Sequence, residues 1–152
     1  MEISLNFSLK YDLELLDKGI TFPVIRLLGV IEFKSHAGWS GPYDVIIDTG
    51  SPVSVFPASI EERCNTHFLH QTRISGIVPN ENCSLSAKLV ELTFRLSDKN
   101  KVTNPIQSKA YITATDKIPL ILGFAGVLEK FDLHISYSKN KCNNQRTMGM
   151  EK

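Results

Sequence analysis

Apolar and polar residues alternate along much of this chain. Ile3, Leu5, Phe7 and Leu9 interleave with Glu2, Ser4, Asn6 and Ser8. The same period of two runs through Val90, Leu92, Phe94 and Leu96, and again through Phe131, Leu133, Ile135 and Tyr137. Each stretch predicts a strand with one wet face. The run VIRLLGVIEF, Val24 to Phe33, is apolar almost throughout and predicts a strand covered on both faces. Shorter strands are expected near 53–56 and 109–113. Helical signals are few. Pro57 opens the segment to Cys64, and a proline suits a first helical turn. In Gly123 to Lys130, Phe124, Val127 and Leu128 stand at helical spacing. The pattern predicts an all-β fold with one or two short helices. From Lys139 onward the chain is polar and rich in asparagine and lysine, which predicts a disordered tail over 138–152 behind a single domain over 1–137.

Composition narrows the function classes. The chain has 152 residues, 42% hydrophobic and 22% charged, as in an ordinary globular domain long enough to bury a core. Net charge is +1; Ser138 to Lys152 hold four basic residues and one acid, so the tail carries +3 and the body −2. A body without a basic stripe or an aromatic platform argues against a nucleic-acid partner. No apolar run approaches membrane-spanning length, and the N-terminus, MEISLNFSLKYDLELL, reads as neither a signal nor a transit peptide. Cys64, Cys83 and Cys142 are an odd set without paired spacing, which favours reduced thiols and a cytoplasmic location. On that reading the Asn6 and Asn82 glycosylation patterns are coincidental.

The candidate chemistry lies in YDVIIDTGSPVSVFP. The apolar run Tyr43 to Ile47 ends in Asp48-Thr49-Gly50. An acid at the end of a strand that enters the core bears a desolvation cost, and catalysis is a common reason to keep one there. The plain alternative is a turn, since Asp, Thr and Gly are ordinary turn residues. Two further features accompany the triplet. Pro119-Leu120-Ile121-Leu122-Gly123 is an apolar strand ending in glycine, then a short helix. Between the two, Arg73-Ile74-Ser75-Gly76-Ile77 leads through turn residues into a long alternating strand, which predicts a hairpin.

Together these features resemble the retropepsin-like aspartic peptidases, single-lobe dimeric relatives of the pepsin family. The resemblance spans roughly Pro23 to Tyr137, and the phrase ILGFAGVLEKFDLHI looks like the family's closing helix and strand. It implies a closed β-barrel of the acid-protease type, with residues 1–22 as an extra N-terminal strand region. It also implies that Asp48 is the catalytic acid, that Thr49 hydrogen-bonds across the dimer, that Ile121-Leu122-Gly123 packs beside the triplet, and that the Ile74–Ile77 hairpin is a flap over the substrate.

Carboxylate-driven peptide hydrolysis needs two acids sharing one proton. This chain supplies one suitable acid, so the expected peptidase is a homodimer in which a two-fold axis brings two copies of Asp48 together. The remaining expectations concern neighbours. Gly50 leaves room for a backbone N–H to aim at the carboxylate. Ser51 serves either as a donor to Asp48 or as a turn hydroxyl. Gly76 serves as a flap hinge or as a plain hairpin glycine. Ser51, Ile74, Ser75, Gly76, Ile77, Leu122 and Gly123 form the expected substrate-binding set, for an extended peptide or unfolded protein. Two departures from the family pattern stand out: Phe124 stands where many members have an arginine, and Pro52 and Val53 stand where acids are common, so an apolar dimer contact is expected.

No cofactor or metal is expected. Cys64, His67 and His70 lack a fourth ligand and a paired cysteine element, and strand spacing would put alternate residues on opposite faces. His36 and His134 have no obvious catalytic companion, and no nucleophile-elbow pattern occurs. The alternative function is a catalytically silent dimeric peptide-binding or scaffold module of the same fold.

Overall fold

The computed structural model describes residues 2–75, 84–135 and 148–151. Among these residues the strands are β1 (Glu2–Ser4), β2 (Asn6–Tyr11), β3 (Pro23–Ser35), β4 (Gly38–Ile47), β5 (Ser54–Phe56), β6 (Thr66–Ile74), β7 (Leu85–Ser97), β8 (Ile106–Thr113), β9 (Ile121–Leu122), β10 (Asp132–Ile135) and β11 (Met148–Glu151). Two short helices, α1 (Leu13–Asp17) and α2 (Ser59–Arg63), and a 3-10 turn at Leu128–Lys130 complete the set. No helix among the described residues is long and apolar enough to cross a membrane.

The expected all-β closed barrel is the architecture found. Strands run in the order β2-β3-β4-β9-β5-β8-β7-β6, and an added β3–β7 pairing joins the sheet to itself. The closed ring is therefore β3-β4-β9-β5-β8-β7, with β2 and β6 flanking it. Closure depends on Val30–Phe33, which pair with β4 on one edge and with Phe94–Ser97 of β7 on the other. Alternation then sends one face of each ring strand inward. Ile31, Phe33, Val45, Val90, Phe94 and Ile112 are almost wholly buried. Phe33 sits at the centre, 5.2 Å from Phe56 and 6.3 Å from Phe94, both edge-on.

Three expectations are corrected, and one helix was not anticipated. The apolar run from Val24 is covered only from Leu27 onward; Val24 and Ile25 are 38% and 45% exposed, because that half of β3 pairs only with β2. Residues 123–130 do not form a continuous helix. Gly126 takes φ +75° and interrupts the turn, leaving helical geometry only at Leu128–Lys130. The 138–152 segment contains a strand, β11, because the edges of β1 and β10 offer it hydrogen-bonding partners on both sides. Helix α1 carried no recognised periodicity; Asp12 starts it by accepting hydrogen bonds from Glu14 N (3.0 Å) and Leu15 N (3.2 Å).

Candidate functional site

Strand order places Asp48 at a crossing of two loops. Strand β9 lies between β4 and β5 and runs parallel to β4, with Ile46 opposite Ile121 and Ile47 opposite Leu122. The chain leaving β4 at Asp48 must therefore step across the end of β9 to enter β5 at Ser54. Leaving β9 in turn, Gly123 passes directly against that step. An added Cβ on Gly123 would lie 2.3 Å from both the carbonyl carbon and oxygen of Val53 and 2.8 Å from Ser54 N. Only glycine fits there.

Hydrogen bonds fasten the crossing from both sides. Asp48 N donates to Leu122 O at 3.0 Å, Phe124 N to Ser51 O at 2.9 Å and Ala125 N to Pro52 O at 2.9 Å. At the centre, Gly123 N donates to Ser54 Oγ at 3.0 Å, and Ser54 is completely buried. Ser54 is a residue that pattern reading missed as part of the site. Its only sequence signal was a hydroxyl in a strand with no wet face.

Asp48 itself is half-buried at the strand end. Its Oδ1 accepts a hydrogen bond from Gly50 N at 2.9 Å. A Cβ on Gly50 would come within 3.3 Å of that oxygen, so the glycine keeps the approach open. The second carboxylate oxygen accepts no hydrogen bond from the described residues. Thr49 is exposed, and its side chain makes no hydrogen bond among the described residues. It helps line a mostly apolar recess of about 130 Å³ with Phe124, Leu128, Glu129, Phe131 and Leu133. Phe124 is 49% exposed.

The structure thus brings Asp48, Thr49, Gly50, Ser51, Leu122 and Gly123 together at one crossing. Ser51 hydroxyl donates to Val53 O at 2.8 Å, in the manner of a turn hydroxyl and not toward the carboxylate. Ile74 and Ser75 stand at the end of the β6–β7 hairpin, and no hydrogen bond among the described residues joins them to the Asp48 turn. That end is braced instead by Arg73, whose Nε donates to Ser84 Oγ at 2.8 Å and whose Nη2 donates to Ser84 O at 3.0 Å. Gly76 and Ile77 lie outside the described residues.

No protein-family model and no curated protein matches the chain. Among solved structures it is similar to EIAV protease complexed with the inhibitor HBY-793. The two share 16% identity over 69% of this chain and 88% of that one, with a TM-score of 0.42.

The other candidate chemistry resolves locally. Cys64 is buried and its Sγ donates to Ile60 O at 3.0 Å. Burial, helped by the nearby Glu61 charge, pushes its thiol up to about 11. His67 and His70 are exposed on β6, on either side of an irregularity in its pairing with β7.

Proposed function

We propose that the chain is an aspartic endopeptidase that works as a homodimer, with two copies of Asp48 across a two-fold axis. The observation that carries this reading is the Asp48 turn: a carboxylate with one oxygen held by Gly50 N and the other without a hydrogen bond among the described residues, on a crossing pinned by Gly123 and Ser54. A rigid frame of this kind suits a group that must hold its aim while exchanging protons.

In the dimer the two carboxylates share a proton, because like charges at close range do not both ionise readily. The ionised Asp48 takes a proton from a water molecule as the water oxygen attacks the peptide carbonyl carbon. The protonated copy gives its proton to the carbonyl oxygen. Collapse of the tetrahedral intermediate then breaks the C–N bond, with a proton passing to the leaving nitrogen. Thr49 braces the pair across the axis. Phe124, half-exposed beside Thr49, supplies apolar contact where a charged pair is missing from the sequence. The β6–β7 hairpin covers the site and adds its backbone to an extended substrate as a neighbouring strand.

The test is Asp48→Asn in the full chain, assayed against an unstructured protein between pH 4 and 7 at high enzyme concentration. Cleavage by the natural chain, and its loss in the variant with the fold and peptide binding intact, is the expected result. A natural chain that binds such peptides without cutting them is the silent peptide-binding module instead.

A further inference from the structure

A second, three-stranded sheet gathers strands from distant parts of the chain, in the order β1-β11-β10. Its middle strand is β11, which pairs Ile3 with Met150 and Ser4 with Gly149 on one side, and Leu133 with Met150 and Ile135 with Met148 on the other. Both pairings are antiparallel. Without β11, β1 and β10 would face each other across a gap one strand wide, about 9–10 Å, each with an unpaired edge.

This gap adjoins the candidate active site. Phe131, just before β10, and Leu133, within it, line the same recess as Thr49 and Phe124. A second copy approaching about a two-fold axis at this edge sets its own β10 against this one. An isologous contact between two identical strands is antiparallel. The incoming strand therefore runs in the direction of β11, and it meets β10 on one side and β1 on the other. Each copy fills the other's gap, giving a continuous four-stranded sheet and bringing the two Thr49-lined recesses toward each other.

We infer that β11 is an intramolecular stopper: it occupies the slot that a second copy of this chain needs, and dimerisation requires its release. The inference rests on the dimeric reading above, since a second copy is what completes the Asp48 pair. Strand β11 has four residues, joined to β10 through residues 136–147, so it competes as a short, tethered and displaceable strand. The competition counts twice, because both copies must open. A tail seated about 90% of the time would weaken dimer association about a hundredfold.

The experiment measures the monomer–dimer equilibrium of the full chain by sedimentation. Met150→Pro places a proline in the central strand, where it cannot donate to the ladder. Association at least about tenfold tighter than in the natural chain is expected, and unchanged or weaker association by a folded variant overturns the inference. A second protein, Ser4→Cys with Gly149→Cys, joins positions that face each other across β1 and β11. With Cys83→Ser and Cys142→Ser in the background, its oxidised form should associate at least about tenfold more weakly than its reduced form. Equal association of the two forms overturns the inference even if Met150→Pro fails to fold. A Met150→Pro dimer that cuts no unstructured protein upholds the stopper and refutes the peptidase. Cleavage gained without any change in association upholds the peptidase and refutes the stopper.

Discussion

Gly123→Ala is the sharpest test of the crossing that holds Asp48. The new methyl would sit 2.3 Å from the Val53 carbonyl carbon and oxygen and 2.8 Å from Ser54 N. All three are backbone atoms, so no rotamer change relieves the overlap. One strand must move by about 1 Å, and overpacking of this kind costs about 1–3 kcal/mol. The movement also pulls Gly123 N from Ser54 Oγ in a buried setting, adding about 1–3 kcal/mol for a polar pair left unmet. Together about 2–6 kcal/mol is expected, a large share of the 5–15 or so that holds a typical domain. In a thermal melt this corresponds to a fall of about 4–24 °C. Gly29→Ala is the matched control. There the added Cβ meets only the ends of flexible side chains, Ile47 Cδ1 at 3.2 Å and Leu5 Cδ2 at 3.3 Å, so a loss under about 1.5 kcal/mol is expected. Urea unfolding of both variants decides the matter. A Gly123→Ala protein within about 0.5 kcal/mol of the natural chain would refute the close approach itself, and with it the rigid frame assigned to Asp48.

The remaining predictions concern acid stability and thiol reactivity. Asp98 accepts hydrogen bonds from Ser4 N, Asn100 N and Lys101 N, and these backbone donors hold its carboxyl below the ordinary 3.8, Ser4 foremost. A depressed carboxyl contributes stability above its unfolded value and loses it as pH falls through the folded one. The stability gap between the natural chain and Asp98→Asn should therefore be widest above pH 4 and narrow in stronger acid; a gap constant from pH 2 to 7 in pH-dependent melts would contradict the assignment. Cys64, with its thiol raised from 9.0 to about 11, exposes far less thiolate near pH 8 than an unfolded cysteine. Mass mapping after alkylation should find it labelled about a hundredfold more slowly in the native chain than in urea. Comparable rates would place the thiol in the open.

How legible the site was depended on the range of the interactions that built it. The period-two run Val90–Leu96 became strand, as did Asp132–Ile135 of the run from Phe131 to Tyr137, whose last two residues lie outside the described ones, because alternation needs only one covered face to be realised. The apolar run at Val24 misled, since it announced burial that the paired β2 alone does not provide. The helix expected at 123–130 failed at Gly126, whose φ of +75° lies outside the right-handed helical region.

Asp48, Gly50 and Gly123 were legible locally as an acid and a glycine ending an apolar run and a glycine ending a second strand, while the family resemblance put them at one site. What residue order could not supply was why those glycines matter or how Ser54 joins them. Ser54 and Gly123 are 69 positions apart, and their hydrogen bond exists only because β9 inserts between β4 and β5. The same holds for β11, a polar-flanked stretch with no strong strand pattern that is ordered by edges contributed from residues 2–4 and 132–135. Periodicity and turn chemistry are written into neighbouring residues and are readable from them. Interlocking and edge pairing arise between segments far apart in the chain, so they were decided only when the barrel closed.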